Sequence, residues 1–346
     1  MKSGNYRTDC QESVPGYDMK CGPHAPALLW PTCFFRRDMV RVFNITHRHG
    51  VALVAVEIFV DGLNYTVELT RKVSLPPDAP RLVVISRQQN STATELVRLC
   101  IRGVQHFTPE PHELWVVDNN SPLENVQWLT DWPELNVALN RTEPAPAEGR
   151  DLGHAQADPD GQLLWDSYAN AIGLELAVRL VHPASHFFMS MHMDTLPCRA
   201  GWLSFLRSKI GDGIAAAGVR MDRTRTPEGV LHVLGYMVDF QLFTKLGLDF
   251  LPHLPWLDVG DRVTVALREA GYNVFACDNT LWEPLLAENI PASSPLRQFH
   301  VDRSFDDDGN VIFLHLGRGV RKSIGAHRRG TTADEWIRMV SERLLV

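Results

Sequence analysis

A histidine and an aspartate two residues apart, His192 and Asp194, stand at the end of a strongly apolar stretch, residues 186–193. The alternation of a β-strand puts its methionines on one face and Ser190, His192 and Asp194 on the other. A carboxylate at the end of a core strand is costly to bury unless it pairs, binds a metal or faces a crevice. Asp194 is therefore a candidate ligand contact, and the structural alternative is a cap or turn before Pro197.

The elements that would position this strand alternate along the chain from residue 81. The patterns predict strands at 81–86, 113–118, 135–139 and 186–193, with helices at 91–107, 122–130 and 165–180. Strands separated by helices pair in parallel through right-handed crossovers, so their carboxyl ends meet at one edge of the sheet. Ligands of open α/β sheets bind at that edge. Asn90, Asp118, Asn119 and Asp194 lie at or just past these strand ends.

The first 80 residues have a different character. Residues 1–38 are predicted to be an extended arm, and residues 39–75 a small antiparallel module of about three strands with a hairpin turn at Asp61-Gly62. The proline-rich segment 76–80 then marks a boundary. We therefore expect an N-terminal part, 1–80, and a main domain, 81–346. The long loop 141–163 interrupts the main domain as a functional lid or a disordered segment.

Composition limits the classes of function. The 346 residues are 45% hydrophobic and 22% charged, as in ordinary globular proteins, and the net charge of −7 excludes a general basic footprint for nucleic acid. A local basic cluster could face an anionic ligand such as a diphosphate or form a solvated surface; its members are Arg318, Arg321, Lys322, Arg328 and Arg329. No run of 18 apolar residues predicts a membrane span, and the N-terminus lacks an apolar signal region. We expect a cytoplasmic location.

Four possible zinc ligands, Cys10, Cys21, His24 and Cys33, cluster near the N-terminus. Their spacing is not one of the usual zinc patterns, so ordinary thiols are favoured over a structural zinc site.

Several segments in order carry a family resemblance. They are 82–90, 115–121, 167–173, 191–194 and 256–261, the last followed by 267–272. Together, over about residues 81–280, they resemble nucleotide-sugar glycosyltransferases of the GT-A fold, closest to family 2. The resemblance implies a Rossmann-like, mostly parallel α/β sheet with flanking helices, in which residues 281–346 form a C-terminal extension that completes the site. It also implies inverting transfer of a sugar from a nucleotide-diphospho-sugar to the hydroxyl of a glycan or small-molecule acceptor, in glycan biosynthesis.

A divalent cation belongs to the implied chemistry because it stabilises the departing diphosphate. Asp194 occupies the place of the family's Asp-X-Asp metal motif, so it would bind Mn²⁺ or Mg²⁺. His192 departs from that motif; an imidazole suits Mn²⁺ better than Mg²⁺, or it could contact ribose or phosphate. His315, in the apolar run 311–317, is either a further metal ligand or a satisfied core residue, and His300 and Asp302 compete with it.

The resemblance also implies the residues that contact the donor and the acceptor. Those expected to bind the nucleotide-sugar are Ser86, Asn90, Asp118, Asn119, Asn170, Gly173 and His192. For Asp118 the structural alternative is an Asx-type turn. Asp258 and Asp261 are the candidate general bases. We favour Asp258, because Asp261 at the start of a helix over 262–270 would be satisfied as its N-cap.

Other interpretations remain open. Trp202, Trp256 and Trp282 are candidate platforms for sugar rings, and a core position is the alternative for each. A nucleotidyltransferase would need a glycine-rich loop after its first strand, but segment 86–91 has no glycine. His192 and the absence of a Glu-Asp pair before residue 259 leave room for a non-catalytic carbohydrate- or nucleotide-binding protein on a degenerate fold.

Overall fold

The structure is a computed structural model that describes residues 40–48, 51–145, 162–221, 223, 227–253 and 256–345. The expectations for the arm 1–38, including the possible zinc site, and for most of the loop 141–163 lie outside these residues.

Thirteen β-strands are present in the described part of the chain. They are β1 Val40–Arg48, β2 Val51–Val60, β3 Leu63–Thr70, β4 Arg81–Ser86, β5 Glu113–Asn119, β6 Leu135–Asn140, β7 Phe187–His192, β8 Thr195–Pro197, β9 Ile214–Arg220, β10 Leu231–Asp239, β11 Asn273–Cys277, β12 Asp302–Phe305 and β13 Val311–His315. Ten of them form one sheet in the order β1-β2-β3-β6-β5-β4-β7-β10-β9-β11, and β12-β13-β8 form a second sheet.

The described α-helices flank these sheets. They are α1 Ser91–Phe107, α2 Leu123–Val126, α3 Gln162–Leu180, α4 Trp202–Ser208, α5 Phe240–Lys245, α6 Asp261–Glu269, α7 Gly319–Ser323 and α8 Ala333–Arg343. None of the described helices is both long enough and apolar enough to cross a bilayer.

The centre of the large sheet has the predicted parallel arrangement. β6, β5, β4 and β7 pair side by side in parallel, as expected for strands joined by helices. Every residue of β4 and β5 is buried, as in sheets that are covered on both faces. The register places Ser86 beside Asp118 and Ile85 beside His192. The α/β fold class is therefore confirmed, and the carboxyl ends of these strands meet at one edge.

The small N-terminal module is antiparallel, as predicted, and it continues the large sheet. β1 pairs with β2 and β2 with β3, and the β2–β3 turn has left-handed backbone at Asp61 (φ 48°) and Gly62 (φ 84°). Positive φ at both residues is the requirement of a type I′ hairpin, which Asp-Gly satisfies. β3 also pairs with β6, so the module extends the edge of the parallel region.

The three-stranded sheet joins distant parts of the sequence. β8 follows directly on the turn after β7, and β13 pairs with it so that His315 lies opposite Thr195. β12 pairs with the other edge of β13 and places Asp302 opposite His315. The buried side chains of Leu196 and Phe313 fix this sheet against the main core. The pairing therefore carries residues 302 and 315 to the end of β7.

Candidate metal centre and active site

β7 presents the first residue of the site. Its residues Phe188 to Met191 are buried between β4 and β10, and His192 is the last residue of the strand. Because the strand ends there, the imidazole reaches the edge of the sheet and is only partly buried. The side-chain nitrogen of Asn170 on α3 lies 3.0 Å from Nε2 of His192. The structure therefore brings together two residues that the sequence placed in separate motifs.

Asp194 lies in the turn that follows β7, and it is held from two directions. Its carbonyl oxygen accepts a hydrogen bond from the Leu316 amide at 3.0 Å. Its Oδ2 accepts one from the Gly319 amide, the first residue of α7, at 2.9 Å. The side chain is buried, and hydrogen bonds from backbone amides compensate for part of the cost of burying a carboxylate. Asp194 is thus fixed in one orientation.

His315 completes the cluster from β13. Its Nδ1 lies 3.2 Å from Oδ2 of Asp302, and its Nε2 lies 3.5 Å from Oδ1 of Asp194. A carboxylate on the outer ring nitrogen is the usual way in which proteins orient a metal-binding histidine. The Nε2–Oδ1 separation is long for a hydrogen bond, and this buried nitrogen has no hydrogen-bond partner among the residues that the structure describes. His315 and Asp302, which competed as candidates in the sequence, therefore lie in one hydrogen-bonded pair.

The three residues His192, Asp194 and His315 offer ligand atoms that all lie within 4.8 Å of one another. An ion held by all three at about 2.0–2.2 Å would bring any two ligand atoms to within about 4.4 Å of each other, so these side chains would have to move closer together on binding. Two imidazoles and one carboxylate suit first-row divalent transition metals better than they suit Mg²⁺, which prefers all-oxygen sites. The side chains present therefore fit a divalent metal ion.

The charges of the cluster are strongly coupled. Burial opposes protonation of His315, but attraction by Asp194 and Asp302 outweighs it and raises the pKa of His315 to about 10. Burial and the neighbouring His315 lower the pKa of His192 to about 4, against the opposing effect of Asp194 and Asp258. Burial alone would raise the pKa of Asp194, yet the two histidines and the Gly319 amide hold it well below its usual range. Without a metal, a protonated His315 neutralises Asp194.

The two candidate bases differ in their surroundings. Asp258 is half-buried, its Oδ1 accepts a hydrogen bond from the Val259 amide at 2.7 Å, and its charge is close enough to affect the pKa of His192. Asp261 is fully buried and accepts a hydrogen bond from the Asp258 amide at 2.9 Å through Oδ2. The N-cap of α6 is Gly260, so Asp261 is the first residue inside the helix. Asp258 is thus the more accessible of the two.

A second, fully buried polar group surrounds Asp118. Its Oδ2 accepts hydrogen bonds from the hydroxyls of Ser86 (2.7 Å) and Ser121 (2.8 Å), and its Oδ1 accepts one from the Ser121 amide (3.0 Å). Desolvation raises the pKa of Asp118, and these hydrogen bonds oppose the rise. This network closes the turn after β5, as expected of an Asx-type turn. It places Ser86 and Asp118 together, beneath the surface of the strand edge.

The remaining predicted donor contacts lie around this edge. Asn90 caps α1 through the Ala93 amide and donates to the carbonyl of Ser323. Asn119 donates to the carbonyl of Ala169 at 2.5 Å. A Cβ atom on Gly173 would lie 2.7 Å from the Ile85 side chain and 2.9 Å from that of Asn119, so this glycine allows α3 to pack closely on the sheet. Of the predicted donor contacts, His192 belongs to the metal-ligand cluster and Asn170 adjoins it.

Two residues near the cluster were not identified from the sequence. The ring of His232 on β10 lies 5.3 Å from that of His192, and its Nδ1 accepts a hydrogen bond from the Leu234 amide. Gly319 has no room for a side chain, because a Cβ would lie 2.8 Å from the carboxylate of Asp194. Strand alternation in 231–234 could have indicated His232, whereas only the long-range packing reveals Gly319.

The three tryptophans divide clearly. Trp202 is fully buried and donates to Thr108, and Trp282 lies beneath the guanidinium of Arg220. Trp256 is 75% exposed and lies two residues before Asp258. Only Trp256 among these three presents a large open aromatic surface near a candidate base.

Comparison with known proteins gives neighbours in structure alone. No protein-family model and no curated protein sequence matches the chain. A β1,4-galactosyltransferase 7 mutant from Drosophila, in complex with manganese, UDP-Gal and xylobiose, aligns with a TM-score of 0.32 and 11% identity over 57% of this chain and 64% of that one. The chain thus spans a little under two thirds of that protein's length.

Two further neighbours are of the same kind. An active-site mutant of LgtC aligns with a TM-score of 0.43 and 11% identity over 75% of this chain and 95% of that one. Mouse xyloside xylosyltransferase 1 aligns with a TM-score of 0.33 and 10% identity over 49% of this chain and 69% of that one. All of these neighbours are GT-A-type glycosyltransferases, the class that the sequence motifs resemble.

Proposed function

We propose that the protein is an inverting glycosyltransferase that moves a sugar from a nucleotide-diphospho-sugar to an acceptor hydroxyl with the help of a divalent metal. The observation that carries this proposal is the His192–Asp194–His315 group at the carboxyl end of a core strand, with Asp258 within electrostatic range of it. A metal ion in this group would stabilise the negative charge that develops on the diphosphate as it leaves.

The chain's own residues prepare the metal ligands. The Gly319 amide orients the carboxylate of Asp194, and Asp302 orients the ring of His315. Asn170 contacts His192, so all three ligands are held before a metal binds. Hydrogen bonds of this kind orient metal-binding side chains before the ion arrives. The donor set favours Mn²⁺ over Mg²⁺, because it contains two imidazoles and a single carboxylate.

Asp258 is our proposed general base. In an inverting transfer the acceptor oxygen attacks the anomeric carbon from the face opposite the leaving group. The carbon–oxygen bond to the diphosphate breaks while the acceptor hydroxyl gives its proton to the carboxylate. Asp258 is half-buried at the site, whereas Asp261 is fully buried and supports the Asp258 amide. Trp256, open to solvent beside Asp258, is the proposed platform for the acceptor ring.

A non-catalytic binding protein on a degenerate fold is not favoured, because the candidate metal ligands and their supporting hydrogen bonds are all in place.

A donor screen tests the proposal. The protein is incubated with nucleotide-sugars and Mn²⁺ or Mg²⁺, and the release of nucleoside diphosphate is followed with and without simple sugar acceptors. We expect release with Mn²⁺, loss of it in Asp194→Asn, and a loss of about 10²–10⁴-fold in Asp258→Asn that leaves Mn²⁺ binding unchanged. Asp308→Asn, at an exposed aspartate, is the matched control. Turnover that is equal in wild type, Asp194→Asn and Asp258→Asn would contradict the proposed mechanism.

A further inference from the structure

A cavity of about 490 Å³ adjoins the metal-ligand cluster on the side of Asp302. It lies between β12, the start of α7 and the segment that leads into α8. Its charged and titratable lining consists of His300, Asp302, Arg303, Arg318, Lys322, His327 and Arg329. Asp302 belongs both to this lining and to the pair with His315, so the cavity and the cluster share a wall.

The lining is strongly basic in a protein that is acidic as a whole. Four cationic residues face one acid, while the whole chain carries a net charge of −7. The guanidinium of Arg303 donates to backbone carbonyls, which leaves Arg318, Lys322 and Arg329 as the cations available to a ligand. Burial lowers the pKa of His327, and the positive charges of Arg318 and Lys322 lower it further. Cations gathered in one cavity repel one another, so an anionic ligand would relieve this repulsion.

Lys322 provides the inner wall of the cavity. It is only 9% exposed, and its Nζ donates to the carbonyl of Leu316 at 2.9 Å. A lysine is rarely buried this far without a charged partner. Burial lowers the pKa of Lys322, and the negative charges of Asp194 and Asp302 oppose that shift, which couples this cation to the metal-ligand cluster.

Arg318 provides the rim, in an unfavourable backbone conformation. Its φ is 57°, in the left-handed region that glycine adopts far more easily than arginine. Glycines stand on either side of it, at 317 and 319, yet position 318 retains a long cationic side chain. Strain of this kind is concentrated at functional sites.

We propose that this cavity binds a phosphate group beside the metal centre. Phosphate binding in the cavity does not depend on the proposed glycosyltransferase function; only the identity of the molecule that carries the phosphate rests on it. This phosphate is either the diphosphate of the donor nucleotide or a phosphate carried by the acceptor. The guanidinium groups of Arg318 and Arg329 supply paired donors that match phosphate oxygens, and Lys322 supplies an inner positive charge.

Isothermal titration of the full chain in EDTA, with inorganic phosphate and inorganic diphosphate as the probes, tests the cavity without any metal. The variants are Arg318→Gly and Arg329→Ala, and Arg328→Ala is the matched control because Arg328 is exposed and does not line the cavity. We expect each cavity variant to weaken diphosphate binding about tenfold and the control to change it less than about twofold. Arg318→Gly should keep or raise the melting temperature, because glycine adopts the same backbone without strain.

No binding by the wild type, or an equal loss in Arg328→Ala, would overturn the proposal. A second titration identifies the source of the phosphate. Inorganic phosphate is titrated into protein already saturated with Mn²⁺ and each of the common nucleoside diphosphates. Blocked binding assigns the cavity to the donor nucleotide, and undiminished binding assigns it to a phosphorylated acceptor. A failure of the proposed function would appear as absent Mn²⁺-dependent nucleotide binding and would leave the metal-free titration intact.

Discussion

The contact between Gly319 and Asp194 yields a quantitative prediction for the variant Gly319→Ala. The added Cβ would lie 2.8 Å from Oδ2 of Asp194, about 0.6 Å inside the ordinary contact distance of 3.4 Å. Metal–ligand bonds tolerate deviations of about 0.2 Å. A carboxylate displaced by about 0.6 Å is therefore lost as a ligand or rotated, and changes to groups that support a ligand typically weaken metal binding about 10–100-fold.

The backbone would not oppose this substitution. Gly319 is the first residue of α7 and has no left-handed φ, so alanine is compatible with its conformation and gains helix propensity of about 1 kcal/mol. The loss should therefore appear in metal affinity more than in stability. Calorimetric titration with Mn²⁺ measures the affinity, and thermal unfolding measures the stability. Ser323→Ala, at the other end of the same helix, is the control.

A double-mutant cycle with Asp194→Asn isolates the contact. If alanine acts through the carboxylate, adding it to Asp194→Asn should cause no further loss of Mn²⁺ affinity. Wild-type affinity in Gly319→Ala would refute the reasoning, because it would mean that the start of α7 does not set the position of the Asp194 carboxylate.

Three further predictions concern other parts of the site. Mn²⁺ affinity should rise by up to about tenfold per pH unit between about pH 6 and 9, because the ion must displace the proton of His315, whose pKa is raised to about 10. His192, with a pKa of about 4, is already neutral over this range. Calorimetric titrations across the range measure the slope, and a flat profile would exclude His315 as a ligand. Asp118→Asn should lower the free energy of unfolding by about 2 kcal/mol in urea, because an amide nitrogen in place of Oδ2 cannot accept the buried hydrogen bonds from the hydroxyls of Ser86 and Ser121. Asp308→Asn should change it by less than about 0.5 kcal/mol. Trp256→Ala should raise the KM for the acceptor about tenfold with little change in the donor KM or the melting temperature, since its ring is exposed; an equal effect on both substrates would argue against a platform for the acceptor.

Local patterns were sufficient for much of the fold. The alternation of strand and helix patterns from residue 81 predicted that β4 to β7 pair in parallel, and Asp61-Gly62 predicted its hairpin. The pairing of β3 with β6 could not be predicted, because two edges that are far apart in sequence meet only when the core has formed. Thus the module appeared separate in the sequence but is continuous with the sheet.

In the site, too, local sequence patterns identified some residues, whereas contacts between distant segments could not be predicted. Asp194 and His192 were identified because an acid and an imidazole at the end of a buried strand need an explanation. His315, His300 and Asp302 could be named as candidates but not ranked, since their positions depend on the register of β13 against β8 and β12. The support from Gly319 depends on a hydrogen bond across 125 residues, which no sequence period encodes.

The long sequence distance between Asp194 and Gly319 also affects the order in which the site assembles during synthesis. The strand that ends in His192 and its parallel neighbours are complete long before residues 311–319 emerge from the ribosome, and closing so large a loop costs entropy that grows slowly with its length. A nascent chain that stops short of β13 would therefore contain only two of the three candidate metal ligands. Tight metal binding would then become possible only after synthesis has passed residue 319, and a bound ion would link the early and late parts of the chain.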